Sequence, residues 1–198
     1  MKNKVIIATK NRDKFALVSN LLRRTGRFDG AKFFSLKDLD ISEDFEEIGN
    51  VQERALKKAR DYAGVLQSKG LSGDVRCVIG VDDAMLVEKE GEIVVDSKTI
   101  TDEILAGTRM ALGERLIVVR GYGMIDMETG EDGTCETRSP FVFLGNEDGV
   151  IRKDGEYPLS RVLAYEGDTV PTTERPWEVG MEYRWKHDHE PLEKLFSN

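Results

Sequence analysis

The chain has 198 residues, 39% of them hydrophobic and 33% charged, which is the balance of a soluble globular protein large enough to bury its own core. Its formal net charge of -8 repels a nucleic-acid backbone, so DNA or RNA is not expected as a partner. No stretch is long and apolar enough to cross a membrane. The two cysteines, Cys77 and Cys135, form no CxxC pair, which argues against zinc and for two buried, reduced thiols in a cytoplasmic protein.

In chain order, Lys4 to Thr9 reads as a strand buried on both faces, because Val5, Ile6, Ile7 and Ala8 are continuously apolar. Asn11 can cap a helix in which Phe15, Val18 and Leu22 recur at helical spacing and Gly26 marks the stop. Ala31 to Leu36 reads as a second short strand, followed by an acidic loop from Asp38 to Gly49. Val51 to Leu66 is the strongest helix, with Val51, Ala55, Ala59, Tyr62 and Leu66 as its apolar stripe. Cys77 to Val81 is an apolar strand running into Asp82 and Asp83. Met85 to Val87 and Ile93 to Val95 flank Gly91 as a hairpin. Thr99 or Thr101 is expected to cap a helix through Leu112, ended by Gly113. Arg115 to Met127 and Thr134 to Leu144 read as long strands joined by a turn around Gly130 and Gly133, with another turn at Asn146 to Gly149. Loops are expected from Asp154 to Tyr183, and a short final helix ending at Pro191 to Phe196. The alternation of strands and helices early, then long strands, indicates one α/β domain over 1–198, with a mixed, extended central sheet flanked by helices.

Three segments have the residue types for chemistry. The turn Thr9-Lys10-Asn11-Arg12-Asp13-Lys14 leaves a buried strand and opens a helix, where backbone N–H groups can meet an anion. It lacks the glycines of a P-loop, and an ordinary capped turn with solvated lysines has the same pattern. Asp82-Asp83 puts two acids at the end of an apolar strand. Such groups are costly to bury unless paired or metal-bound, although a strand-end pair can also make turn hydrogen bonds. Glu46-Glu47-Ile48-Gly49 supplies carboxylates of the kind magnesium prefers. Behind it, Lys58 sits at the edge of the apolar stripe, where it either snorkels or reaches into a site.

In sequence order, Thr9-x-Asn11-x-x-Lys14, Glu47-x-Gly49, Glu53-x-Ala55-x-x-Lys58-Ala59 and the strand ending in Asp82-Asp83 resemble the inosine triphosphate pyrophosphatase family over residues 4 to 110. The resemblance implies a two-lobed fold with an active-site cleft between the lobes. It also implies metal-dependent cleavage of a deaminated or modified purine nucleoside triphosphate to monophosphate and pyrophosphate, by a homodimer. Thr9, Asn11 and Lys14 would bind triphosphate and Lys58 would contact phosphate. Glu47, Asp82 and Asp83 would hold magnesium, or manganese in its place, and Asp83 would act as general base, with Lys14 and Lys58 assisting. For the base, the corresponding segments are Gly155-Glu156-Tyr157-Pro158 and Lys186-His187-Asp188, giving Tyr157, Lys186 and His187 as substrate-binding candidates. Tyr157, Trp177 and Trp185 are candidates for stacking on it. The sequence departs from the family pattern at Arg54, where asparagine is usual, and at Ala84-Met85, where Ser-Gly is usual. A Pro-Gly-x-Tyr-Ser loop is missing after Val95. Two alternatives stand beside this reading. One is a nucleotide-binding regulatory protein of the same fold with little turnover, which the departures would suit. The other is a Maf-like pyrophosphatase, whose usual Ser-rich opening turn is absent here.

Overall fold

A computed structural model describes residues 2–145 and 159–197. Strand β1 (Lys4–Ala8) forms where the run of branched apolar residues lies, and Val5 to Ile7 are fully buried. Helix α1 (Arg12–Arg24) starts at Asn11, whose side-chain oxygen accepts from the N–H groups of Asp13 and Lys14. Strand β2 (Lys32–Ser35) pairs in parallel with β1. Helix α2 (Val51–Ser68) opens with a capping box: Asn50 accepts from Gln52 and Glu53 N–H, and the Glu53 carboxylate accepts from Asn50 N–H.

Strand β3 (Val75–Val87) pairs in parallel with β1 and does not stop at the two aspartates. It carries on through Asp82 and Asp83 into Met85–Val87, which then pairs in antiparallel fashion with β4 (Ile93–Val94) as the expected hairpin. Helix α3 (Ser97–Leu105) is shorter than expected and is capped by Asp96, not by a threonine. Asp96 accepts from the N–H groups of Lys98 and Thr99, and Gly107 at φ 71° follows the last turn. Strands β5 (Arg115–Asp126) and β6 (Asp132–Phe143) appear close to their expected bounds. Strand β7 (Leu163–Tyr165) is antiparallel to β6. Helix α4 (Trp177–Leu195) replaces an expected loop and short helix, with Pro191 inside it. The strand order is β2-β1-β3-β5-β6-β7, with β4 against β3, a mixed α/β sheet as expected.

The chain divides into two compact units. The first comprises Met1–Asp82, Arg120–Thr137 and Asp188–Asn198, and its core includes Ile6, Leu36, Ala59, Leu66 and Val78. The second comprises Asp83–Val119 and Arg138–His187, with a core that includes Val87, Ile100, Leu116, Phe141 and Leu163. Both cysteines are free, and burial pushes each thiol up to about 12, so they stay protonated. Among the described residues, no helix is long and apolar enough to cross a membrane.

Within the first unit, α2 lies directly against the backbone of β3 and β5. A Cβ on Gly80 would come within 3.0 Å of Ala55 O and Ala59 N, and one on Gly121 or Gly123 would run into Val51 or Leu56 backbone. Only glycine allows this approach. It sets the height of α2 over β3, two residues before Asp82.

Candidate active site

The same-face rule of a strand puts Asp82 on the side of β3 that Gly80 turns toward α2. Arg54 and Lys58 are four residues apart on α2 and therefore project together from one face. The third component is Glu47, on the segment leading into α2. That segment is tied down along the helix. Tyr62 donates to Glu43 O at 2.7 Å, Lys69 pairs with the Glu43 carboxylate at 2.7 Å, and Phe45 packs edge-on against the Tyr62 ring. Gly49, at φ 97°, then turns the chain into the capping box.

These four side chains close into a ring of charge. Lys58 Nζ lies 2.5 Å from Glu47 Oε1 and donates to Asp82 Oδ1 at 2.7 Å. Arg54 pairs through Nη2 with Glu47 Oε2, and its Nε is 3.0 Å from Asp82 Oδ2. Each of the four carboxylate oxygens thus faces one cationic nitrogen. Asp82 is 6% exposed, and these ion pairs offset the cost of taking a carboxylate out of water. Burial pushes the Glu47 carboxyl up, but the hydrogen bonds and charges of Lys58 and Arg54 outweigh it and hold it below its ordinary range.

Two carboxylates converging on a single atom, Lys58 Nζ, form a donor set that suits magnesium, which takes one or two protein carboxylates together with phosphate oxygens. Among the described residues, no group of three or more His, Cys, Asp and Glu side chains is placed to hold a metal ion. A pair is therefore the most that this ring brings to a cation. Asp83 stands outside the ring. It is the next residue of an uninterrupted strand, so it faces the other side of the pleat, and it is partly exposed.

The β1–α1 turn lies beside this strand. Ala8 pairs with Gly80 in parallel register, so Thr9 and Asp82 both follow closely on the carboxyl side of the last pair, where open α/β sheets bind ligands. Inside the turn, Asn11 N–H donates to Thr9 Oγ1 at 3.1 Å. Asn11 Oδ1 accepts from Asp13 and Lys14 N–H at 2.9 and 3.0 Å. Two N–H groups expected to meet an anion are thus already capped by the asparagine. Lys10 pairs with Asp44 at 2.7 Å, and Lys14 is partly exposed.

The C-terminal candidates among the described residues are on helix α4. Lys186 and His187 are on α4, the first exposed and the second with its ring 4.8 Å from that of Tyr183. Trp177 is 52% exposed at the start of α4, and Trp185 is partly buried on it. Asp188, at the end of the proposed Lys-His-Asp correspondence, is buried and accepts from Tyr122 Oη at 3.1 Å. It anchors α4 to β5. Tyr157, and the turn expected at Asn146 to Gly149, lie outside the described residues.

The described fold matches solved structures along almost its whole length. A nucleoside-triphosphatase / dITP/XTP pyrophosphatase from Mycobacterium abscessus aligns with a TM-score of 0.55 at 18% identity, over 98% of each chain. The Ham1 protein of Staphylococcus aureus aligns with a TM-score of 0.65 at 14% identity, over 98% of this chain and 96% of that one. The chain has their fold. No family model matches the sequence, and no curated protein matches it significantly.

Arg54 is the participant that sequence reasoning did not place in the site. The signal was present: it lies four residues before Lys58, on the same helix face, and it was singled out as a departure from the family pattern.

Proposed function

We propose that the chain hydrolyses a nucleoside triphosphate to the monophosphate and pyrophosphate, with a deaminated or modified purine nucleotide as the substrate class. The observation that carries this is the ring of Glu47, Asp82, Arg54 and Lys58 beside the β1–α1 turn, on a fold shared with a dITP/XTP pyrophosphatase. Lys58 and Lys14 supply positive charge to the phosphates, and Thr9 and Asn11 shape the turn that receives them. A magnesium or manganese ion held through Glu47 and Asp82 would neutralise phosphate charge and polarise the α-phosphorus. The family resemblance assigns the proton of the attacking water to Asp83; because Asp83 lies on the pleat face opposite the ring, Asp82 is the alternative base. The new bond joins that water's oxygen to the α-phosphorus, the α–β bridging bond breaks, and pyrophosphate leaves. A two-fold homodimer completes the reading, on the family resemblance.

The test is a panel of nucleoside triphosphates, including the inosine and xanthosine forms, incubated with magnesium while pyrophosphate is followed. Asp83→Asn, which keeps shape and removes charge, is expected to fold and to lower turnover by about a hundredfold or more. Near-parent turnover in folded Asp83→Asn would move the base assignment to Asp82 or to a water without a protein base.

A further inference from the structure

The ring has a property that none of its members has separately: every carboxylate oxygen of Glu47 and Asp82 is already facing a cation. Two carboxylates and two cations also make it neutral, so it offers a free divalent ion little net attraction. An ion bound at about 2.1 Å, the usual magnesium–oxygen distance, would meet the ammonium and guanidinium at close range. Lys58 is a single point charge on a flexible stem and can turn away. Arg54 is a rigid fork spanning both acids, with its side chain only 14% exposed.

We propose that Arg54 is an internal competitor of the metal, a guanidinium that occupies Glu47 and Asp82 and sets how tightly the site takes a divalent ion. It is a specificity-determining residue for metal loading, and the inference rests on the site reading given above. Metal entry requires Arg54 to release at least one carboxylate. The released guanidinium suits phosphate, which it can grip through two N–H groups. Removing Arg54 leaves Lys58 alone against two acids, a ring of net charge -1 that attracts a cation.

Manganese binding to the nucleotide-free protein, read by electron paramagnetic resonance, tests this without any turnover. Arg54→Gln is expected to bind manganese about tenfold more tightly than the parent, a change within the usual range of coupling between two sites. Arg54→Lys keeps the charge but loses the fork, and should fall between the two, about threefold tighter than the parent. It decides the matter alone should Arg54→Gln not fold. The double variant Glu47→Gln with Arg54→Gln should lose the gain, which places the gain at this pair and not on the acidic surface. Affinity equal to or weaker than the parent's in the folded Arg54 variants would overturn the proposal, as would a gain that persists in the double variant. Tighter manganese binding without pyrophosphate release would leave this inference standing and sink the proposed reaction. Pyrophosphate release with no change in manganese affinity would do the reverse.

Discussion

Charge at this site is organised by single side chains that serve two partners at once. Glu47 shows the consequence for pH. Its folded-state pKa lies below the ordinary carboxylate value of 4.5, because Lys58 and Arg54 outweigh the cost of burial. The stability it contributes is therefore complete above that ordinary value, and is lost as pH falls through the lowered folded value. Glu47→Gln should flatten the acid limb of a stability-versus-pH profile below pH of about 4.5 relative to the parent, measured by urea unfolding. An unchanged acid limb would mean that the pairs seen at Glu47 contribute nothing in solution. Asp82→Asn should cost more at neutral pH, about 1–3 kcal/mol, since Asp82 is nearly inaccessible and leaves two cations short of a partner. Glu47, Lys58 and Asp82 were legible in the sequence as candidates, grouped by the family resemblance and not by residue type alone. Their mutual contact was not, because it depends on the height of α2 over β3. Neither was the role of Arg54, since an arginine on a helix face is usually solvated.

The elements that set this geometry are β3 and α2, and their contact runs through glycines. Gly80→Ala places a methyl group where Ala55 O and Ala59 N already stand, so α2 must lift. A loss of about 1–3 kcal/mol is expected, as for overpacked cores, together with weakened pairing of Lys58 to Asp82. Chemical denaturation checks the first. Stability within error of the parent would show that the helix does not rest on the strand there. Asn50→Ala removes the cap of α2 and should cost about 1 kcal/mol. The early elements were readable because continuous apolar runs and a helical stripe are local signals. The extent of β3 was not, because two adjacent acids look like a strand end. The strand continues because Ala84, Met85, Leu86 and Val87 are buried. Helix α4 was missed for a similar reason. Pro191 and a polar sequence hide a helix whose burial is contributed by scattered positions, among them Met181, Asp188 and Leu192.

At the scale of the whole molecule, two compact units each have a core of their own, and the fold is shared with proteins at 14–18% identity. The chain keeps that fold although it is at most 18% identical to either structure. The mixed α/β class was legible from the order of strands and helices. A two-lobed fold was implied by the family resemblance, but the boundaries of the two units were not readable, because β3, β5 and β6 each carry residues of both. The proposed homodimer predicts a light-scattering mass of twice the chain at micromolar concentration. A monomer at that concentration would remove the dimer from the proposal without touching the ring of Glu47, Arg54, Lys58 and Asp82. The proposed reaction is attack of water at the α-phosphorus. It is tested most directly by hydrolysing a nucleoside triphosphate in heavy-oxygen water and following the products by phosphorus NMR. Attack there gives pyrophosphate as the primary product, with the heavy oxygen in the nucleoside monophosphate. Orthophosphate as the primary product, or the heavy oxygen in the pyrophosphate, would overturn it.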